Sequence, residues 1–273
     1  MPRLLVPTAQ DGKTPPVSYP REFFENHQAD LSNFWILRRN QNIERLLRKY
    51  EKSSILEIGS GHGAVARFLA LKGFVVRCVE PQIEGALQTA ASGIETLVTI
   101  TPRDHLQARS QSAIGIFDVL EHIESESEFL AMINELLRPS GVLVVTVPTG
   151  NWLFSQTDLA LGHHRRYSRK KLRIVMESAG FEEVYSKYIF LFLVPFAFVF
   201  RTLPYRFRVC QSNNQQLKRV GDSLGSKSLP TRILGFASRL EARLDRFGVL
   251  PYGLSIVAVY RPTRRTAELE LQK

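Results

Sequence analysis

Cysteine is almost missing from this 273-residue chain, which holds only Cys78 and Cys210, far apart. Cys78 also lies inside an apolar run, so neither a disulfide framework nor a thiolate metal site is expected, as suits a reducing cytoplasm. The six histidines show no His-Glu-x-x-His spacing, and the sequence offers no metal site on that ground. Long apolar runs are lacking too. Ile189 to Phe200 gives twelve consecutive apolar or proline residues, interrupted by Pro195, whereas a bilayer-crossing helix needs ~20. Met1 to Pro7 carries no apolar stretch of the kind a secretory signal uses. Low hydrophobicity is not among the shortages. At 44% hydrophobic residues, the chain can build a core, which excludes global disorder.

Negative charge is in deficit: 26 Asp and Glu face 36 Lys and Arg, a net charge of +10. Such a surplus points to an anionic partner, whether nucleic acid, a phosphorylated small molecule or an acidic membrane face. The surplus is uneven, for Arg201 to Arg246 contains ten basic residues and three acids.

The stretch that organises the rest runs from Ser54 to Gly63. Ile55, Leu56 and Ile58 read as a buried parallel strand. Gly59, Gly61 and Gly63 follow, then a helical pattern from Ala64 to Leu71. A strand, a loop without Cβ atoms and a helix start leave room for a ligand against backbone amides. Glu57 adds an acceptor-only group beside that loop. After a glycine stop at Gly73, a second strand from Phe74 to Val79 ends in Glu80. An acid at that place holds a ribose by its vicinal hydroxyls in doubly wound sheets. A nucleoside-bearing ligand is the expectation.

Further along, the order remains strand, helix, strand. Residues 1–20 are proline-rich and read as an irregular arm. Leu31 to Tyr50 carries a broken apolar stripe and is either a helix packed on the sheet edge or a lid over the ligand. Gly85 to Ala91 is helical and Thr96 to Ile100 extended. Ala113 to Leu120 forms the fourth strand, Glu124 to Leu137 a helix, and Val142 to Val147 the fifth strand. Ser168 caps a helix that places Leu172, Val175, Met176 and Ala179 on one face and stops at Gly180. Phe181 to Tyr188 is the sixth strand and Leu254 to Tyr260 the seventh. Between these two lie the apolar run, a polar linker from Gln211 to Pro230, and an amphipathic basic segment from Thr231 to Phe247. The divisions are an arm and lid helix (1–50), a core (51–189 with 249–262), a helical insertion (190–248) and a tail (263–273).

Glu57-Ile58-Gly59-Ser60-Gly61-His62-Gly63 resembles motif I of the class I S-adenosylmethionine-dependent methyltransferases. Gly59-x-Gly61-x-x-Ala64 also satisfies the dinucleotide fingerprint. Glu57 decides for the methyltransferase, since a carboxylate suits a ligand with an ammonium group and repels a pyrophosphate; the fifty residues before the first strand agree. The resemblance implies an α/β fold with a seven-stranded, mostly parallel Rossmann-like sheet, an antiparallel last strand and a helical insertion before it. It also implies cofactor contacts from Glu57, Gly59, Ser60, Gly61, Gly63 and Glu80. Asp118-Val119-Leu120-Glu121-His122-Ile123 resembles an element of a subfamily associated with glycan and lipid-linked substrates. There Asp118 would line the methionine end of the cofactor, with Glu121 and His122 near the transferring methyl. Trp152, Asp158 and Gly162-His163-His164-Arg165-Arg166-Tyr167 resemble the substrate side of that subfamily's pocket. Paired arginines at Arg165 and Arg166 suit a phosphate or carboxylate, and Trp152 and Tyr167 offer flat faces for a ring. The acid that contacts adenine has no clear match, Asp104 being the nearest.

The implied reaction is methyl transfer, most simply to oxygen. A hydroxyl acceptor needs a base, and His122 and His163 are the candidates, in no fixed order. The insertion governs the partner. Its apolar run and basic amphipathic segment suit the headgroup region of an anionic leaflet, giving a cytoplasmic protein peripheral on the inner membrane face. The alternatives are a subdomain packed on itself or across a homodimer, a soluble enzyme for a small metabolite, or a non-catalytic or NAD-type module. Nucleic acid is disfavoured, because no Asn-Pro-Pro-Tyr-type element follows the fourth strand.

Overall fold

The computed structural model describes residues 4–6, 31, 33–207, 241 and 251–263. The linker Gln211 to Pro230, the tail beyond Thr263, and all of the basic segment Thr231 to Phe247 except Glu241 lie outside the described residues, as does most of the proline-rich arm.

Strand β1 (Leu4–Leu5) is followed by α1 (Phe34–Lys49), β2 (Ser54–Ile58), α2 (Ala64–Leu71), β3 (Val75–Val79), α3 (Ile83–Ala91), β4 (Glu95–Leu97) and β5 (Gln111–Phe117). Then come α4 (Glu126–Leu136), β6 (Leu137–Pro148), α5 (Gln156–Ala160), α6 (Arg169–Ser178), β7 (Phe181–Ile189) and β8 (Ser255–Pro262), with a helical run from Leu191 to Arg206 between the last two. One sheet holds all eight strands in the order β1-β4-β3-β2-β5-β6-β8-β7. Pairing is parallel from β1 through β6, and β8 runs antiparallel to both β6 and β7. The seven expected strands are present with the expected antiparallel ending. The eighth is a correction to the irregular arm: Leu4 and Leu5 pair with Thr96 and Leu97 and extend the edge.

Period two in the strands builds two cores. Val142 and Val144 of β6 face one side with Ile55, Val76, Val257 and Val259, under α1 and α2. Leu143, Val145 and Val147 face the other with Leu56, Ile58, Ile114, Ile116 and Ile256, under α4 and α6. Helices on both faces explain why these strands read as near-continuous apolar runs. Each fully buried Leu or Ile contributes about 1.5–3 kcal/mol on area bookkeeping. Ser168 caps α6 as expected, accepting from the Lys171 amide at 3.1 Å; Leu172 and Met176 of that helix are fully buried.

α1 belongs to the first core through Ile43, Leu46 and Leu47. Its start is pinned as well. Asn33 caps it, accepting from the Trp35 amide at 2.9 Å, and the Trp35 ring stacks on Phe190 at 3.9 Å. A helix so anchored is a fixed wall rather than a loose cover. Two boundaries shift. The fourth strand ends at Phe117, since Leu120–His122 forms a 3-10 turn, and β6 starts at Leu137.

Candidate active site

The switch point lies between β2 and β5, because strand order runs to β4 on one side and to β6 on the other. In open α/β sheets ligands collect at the strand carboxyl ends there. Two loops from the sequence reading meet at this place: Gly59 to Gly63 after β2, and Asp118 to His122 after β5.

All three glycines take positive φ, at +78°, +52° and +70° for Gly59, Gly61 and Gly63, but their surroundings differ. A Cβ on Gly59 would lie 2.7 Å from Val119 Cγ2, and one on Gly63 would lie 2.7 Å from Thr89 Oγ1. Both are packing requirements. A Cβ on Gly61 would meet nothing within 4 Å, so this glycine borders open space, as a ligand cradle requires. Ser60 is buried, 3.4 Å from the Thr89 hydroxyl.

Two buried carboxylates flank the loop. Glu80 accepts from the Gly61 amide at 2.6 Å and the Gln82 amide at 2.9 Å, which fixes the loop and still leaves lone pairs for further donors. Burial raises its pKa. Glu57 is 2% exposed, and its Oε2 is buried with no hydrogen-bond partner. Burial pushes Glu57 up to about 8, against the pull of the Arg39 guanidinium, with Glu80 adding to the rise. A buried acceptor left unmatched on the strand that leads into the glycine loop fits a cationic donor. The residues present therefore fit an adenosyl sulfonium bearing an α-ammonium group.

Asp118 has a positive φ of 56° at the end of β5. It accepts from Thr146 Oγ1 at 2.9 Å and pairs with Arg39 of α1. Asp tolerates the left-handed region better than most residues, and these partners hold it there. Asn40 of α1 donates to the Ala64 carbonyl at 3.1 Å. The wall helix thus touches both the Asp118 loop and the start of α2. Asp104 is not brought into this group; it is exposed and lies 3.9 Å from Arg103, which also reaches Glu135 of α4.

Beyond Asp118 the buried residues form a dense polar cluster. Arg166 donates to Asp158 through Nε at 2.7 Å and Nη2 at 3.1 Å, and its Nη1 reaches the Thr149 carbonyl at 3.2 Å. His163 Nδ1 lies 2.9 Å from Asp158 Oδ1. Burial alone would raise the Asp158 pKa, but the His163 hydrogen bond and the Arg166 charge outweigh it and hold the carboxyl well below its usual range. An ionised Asp158 only accepts, so Nδ1 of His163 is the donor in this contact. The His122 ring stands edge-on to His163, centroids 4.8 Å apart. Burial, then the neighbouring His163, press the His122 pKa down to about 3. Glu121 is 1% exposed and neither carboxylate oxygen has a hydrogen-bond partner.

Several residues expected on the substrate side have partners within the chain. Arg166 is buried and bonded to Asp158 and Thr149 through Nε, Nη1 and Nη2, which ties it into the cluster. Arg165 lies 2.7 Å from Glu126 Oε2 and donates to the Glu124 carbonyl at 3.3 Å. Tyr167 is fully buried, its hydroxyl bonded to Glu126 and to the Leu120 carbonyl at 3.3 Å, and no ring face is open. Trp152 differs: it is 43% exposed, donates to the Tyr252 hydroxyl at 2.8 Å and lies 5.5 Å from Phe198.

Two residues make contacts that the sequence does not assign, although Arg38-Arg39-Asn40 resembles the helix that precedes motif I in the subfamily. Arg39 reaches Asp118 from a helix 79 positions earlier. Glu241, buried, accepts from the Phe190 and Phe192 amides at 2.6 and 3.3 Å and closes the start of the helical run. No local pattern marks either contact.

Residues 27–186 match the methyltransferase-domain family. That is more than half of the chain, and the protein belongs to this family. A Mycobacterium tuberculosis protein named "Probable S-adenosylmethionine-dependent methyltransferase" is 26% identical over 160 residues, 57% of this chain and 58% of the relative. A ubiquinone biosynthesis O-methyltransferase of Rickettsia bellii is 27% identical over 118 residues, 40% of this chain and 49% of the relative. The chain thus spans about half the length of these relatives, 58% of one and 49% of the other. Among solved structures, Haemonchus contortus phosphoethanolamine N-methyltransferase 2 with S-adenosyl-L-methionine superposes with a TM-score of 0.51 at 15% identity, covering 92% of this chain and 61% of that one. A Pyrococcus horikoshii protein gives 0.51 at 13%, covering 86% and 95%. These two likenesses establish the fold.

Proposed function

We propose that the protein transfers a methyl group from S-adenosylmethionine to an oxygen of a lipid-linked or glycan-like acceptor at a membrane surface. The cofactor half is carried by the open space over Gly61, together with the unmatched, buried Glu57 oxygen on the preceding strand. The cofactor supplies an electrophilic methyl on sulfur. Glu57 receives its ammonium group, Glu80 its ribose hydroxyls, and the Gly59 to Gly63 backbone lies against it. Asp118, fixed by Thr146 and Arg39, borders the methionine end. An intrinsically reactive methyl asks the protein mainly for alignment and a dry site. An acceptor hydroxyl must also lose its proton. His163 Nε2 takes it in this reading, and the Asp158 contact on Nδ1 supports that role by orienting the ring and stabilising the charge it gains. His122, more deeply buried, packs against that ring.

The acceptor half rests on the helical run from Leu191 to Arg206. Phe196, Val199 and Phe200 are exposed there, Phe200 by 72%, and Phe207 follows at 77%. No helix among the described residues is long and apolar enough to cross a membrane, so these side chains favour contact with a leaflet surface. The same run meets the site rim: Thr202 donates to the Leu153 carbonyl and Arg206 to the Trp152 carbonyl, each at 3.2 Å. An acceptor held in the leaflet would thereby reach Trp152 and the His163 cluster.

Incubation with methyl-labelled S-adenosylmethionine, anionic vesicles and a total lipid extract tests this reading. Label is expected in the organic phase, and His163→Ala is expected to lower its incorporation at least ~100-fold while cofactor binding persists. Label confined to water-soluble products would instead identify the soluble-metabolite enzyme.

A further inference from the structure

Histidine spacing along the chain gives no metal motif, yet the fold assembles one. We propose that Glu121, His122 and His163 bind a divalent transition-metal ion. One ligand-type atom from each lies within 4.8 Å of the others. Glu121 is the strongest indicator. Both its oxygens are buried with no hydrogen-bond partner, a costly arrangement unless something neutralises and ligates the carboxylate.

The surroundings are those of a built site. Asp158, itself buried, engages Nδ1 of His163 at 2.9 Å, so Nε2 is the nitrogen left for an ion. A carboxylate behind a ligating imidazole is the usual support of a metal-bound histidine, fixing its tautomer and ring plane. Arg166 holds Asp158 in turn through two hydrogen bonds. The loops carrying the ligands are tied together by the His164 amide, which donates to the Glu121 carbonyl at 2.9 Å, and by the Tyr167 hydroxyl on the Leu120 carbonyl. Two imidazoles and one carboxylate suit zinc, iron, cobalt or manganese, whereas Mg²⁺ and Ca²⁺ favour all-oxygen sets. Three protein ligands leave positions open for an oxygen of a substrate, as in zinc sites with two histidines and a glutamate. His163 Nε2 has one lone pair, so in the metal-loaded chain it is a ligand, and the ion becomes the group that polarises an acceptor oxygen. Metal binding is a separate matter from methyl transfer, and its test reads the metal alone.

The full chain, stripped with a chelator and dialysed, is titrated with Co²⁺ while visible d–d absorption is recorded. One saturable equivalent is expected, displaced by Zn²⁺ and not by equimolar Mg²⁺. His163→Ala and Glu121→Gln should each weaken binding at least ~100-fold, and Asp158→Asn by ~10–100-fold. His105→Ala, remote from the cluster, should change nothing. Circular dichroism and S-adenosylmethionine binding identify any variant that fails to fold, and the intact chain's stoichiometry stands whatever the variants do. Absence of saturable Co²⁺ binding to the intact chain, or binding that His163→Ala and Glu121→Gln leave unchanged in folded protein, overturns the proposal and leaves the methyl-transfer reading intact.

Discussion

Replacing Gly61 with leucine is expected to weaken S-adenosylmethionine binding more than ~100-fold while the protein stays folded. The reason is the contrast among three glycines. A side chain on Gly59 or Gly63 would collide with Val119 or Thr89 at 2.7 Å, so those changes strain the fold itself. A side chain on Gly61 enters space that is open in the ligand-free chain. Its folding penalty is limited to the left-handed conformation at φ +52°, about 1–2 kcal/mol for a residue bearing a Cβ. Calorimetric titration beside thermal unfolding checks this. The expected result is lost binding with a modest fall in Tm for Gly61→Leu, and a larger fall for Gly63→Leu. Unchanged affinity in Gly61→Leu would place the cofactor elsewhere.

The second large effect concerns a proton. Burial raises Glu57 from its ordinary value of 4.5 to about 8, so the unliganded protein holds this carboxyl protonated at neutral pH. The raised acid costs stability as pH climbs. The folded state binds the extra proton between 4.5 and about 8, so folding stability declines across that window, by an amount on the order of 5 kcal/mol for complete ionisation. An ammonium group placed against Glu57 reverses the preference and favours the carboxylate. Binding should therefore release close to one proton below pH ~8, and affinity should rise up to ~10-fold per pH unit until it levels off. Titrations in buffers of different ionisation enthalpy measure the release directly. Glu57→Gln should bind more weakly and release no proton; proton release that survives this substitution would assign it to another group.

These effects could be foreseen in part because the responsible residues are neighbours in the chain. The apolar run of β2, the glycines after it and Glu80 at the end of β3 sit within one βαβ unit, where strand and helix periodicities leave little choice of arrangement. Two edges were less visible. Leu4 and Leu5 form a strand of only two residues inside a proline-rich arm, too short for alternation to register. β6 begins at Leu137 despite Pro139 and Gly141, because Leu137 pairs with Gln111 across a register shift in β5. The polar cluster was legible only as a set of residue types. Nothing local reveals that Arg166 spends its guanidinium on Asp158, or that Tyr167 turns inward to Glu126, 41 positions away. The same holds for the metal-type cluster, in which 42 and 41 positions separate His163 from Glu121 and His122. Spacing rules find ligands on one helix or hairpin, and here the third ligand arrives by loop-to-loop contact.

The central claim is that the crevice beside Gly61 takes an adenosyl sulfonium. Isothermal titration of the intact chain with S-adenosylmethionine, S-adenosylhomocysteine and NAD tests it most directly. Saturable one-to-one binding of the first two, with NAD failing to compete, is the predicted result. Binding of NAD alone would contradict the account.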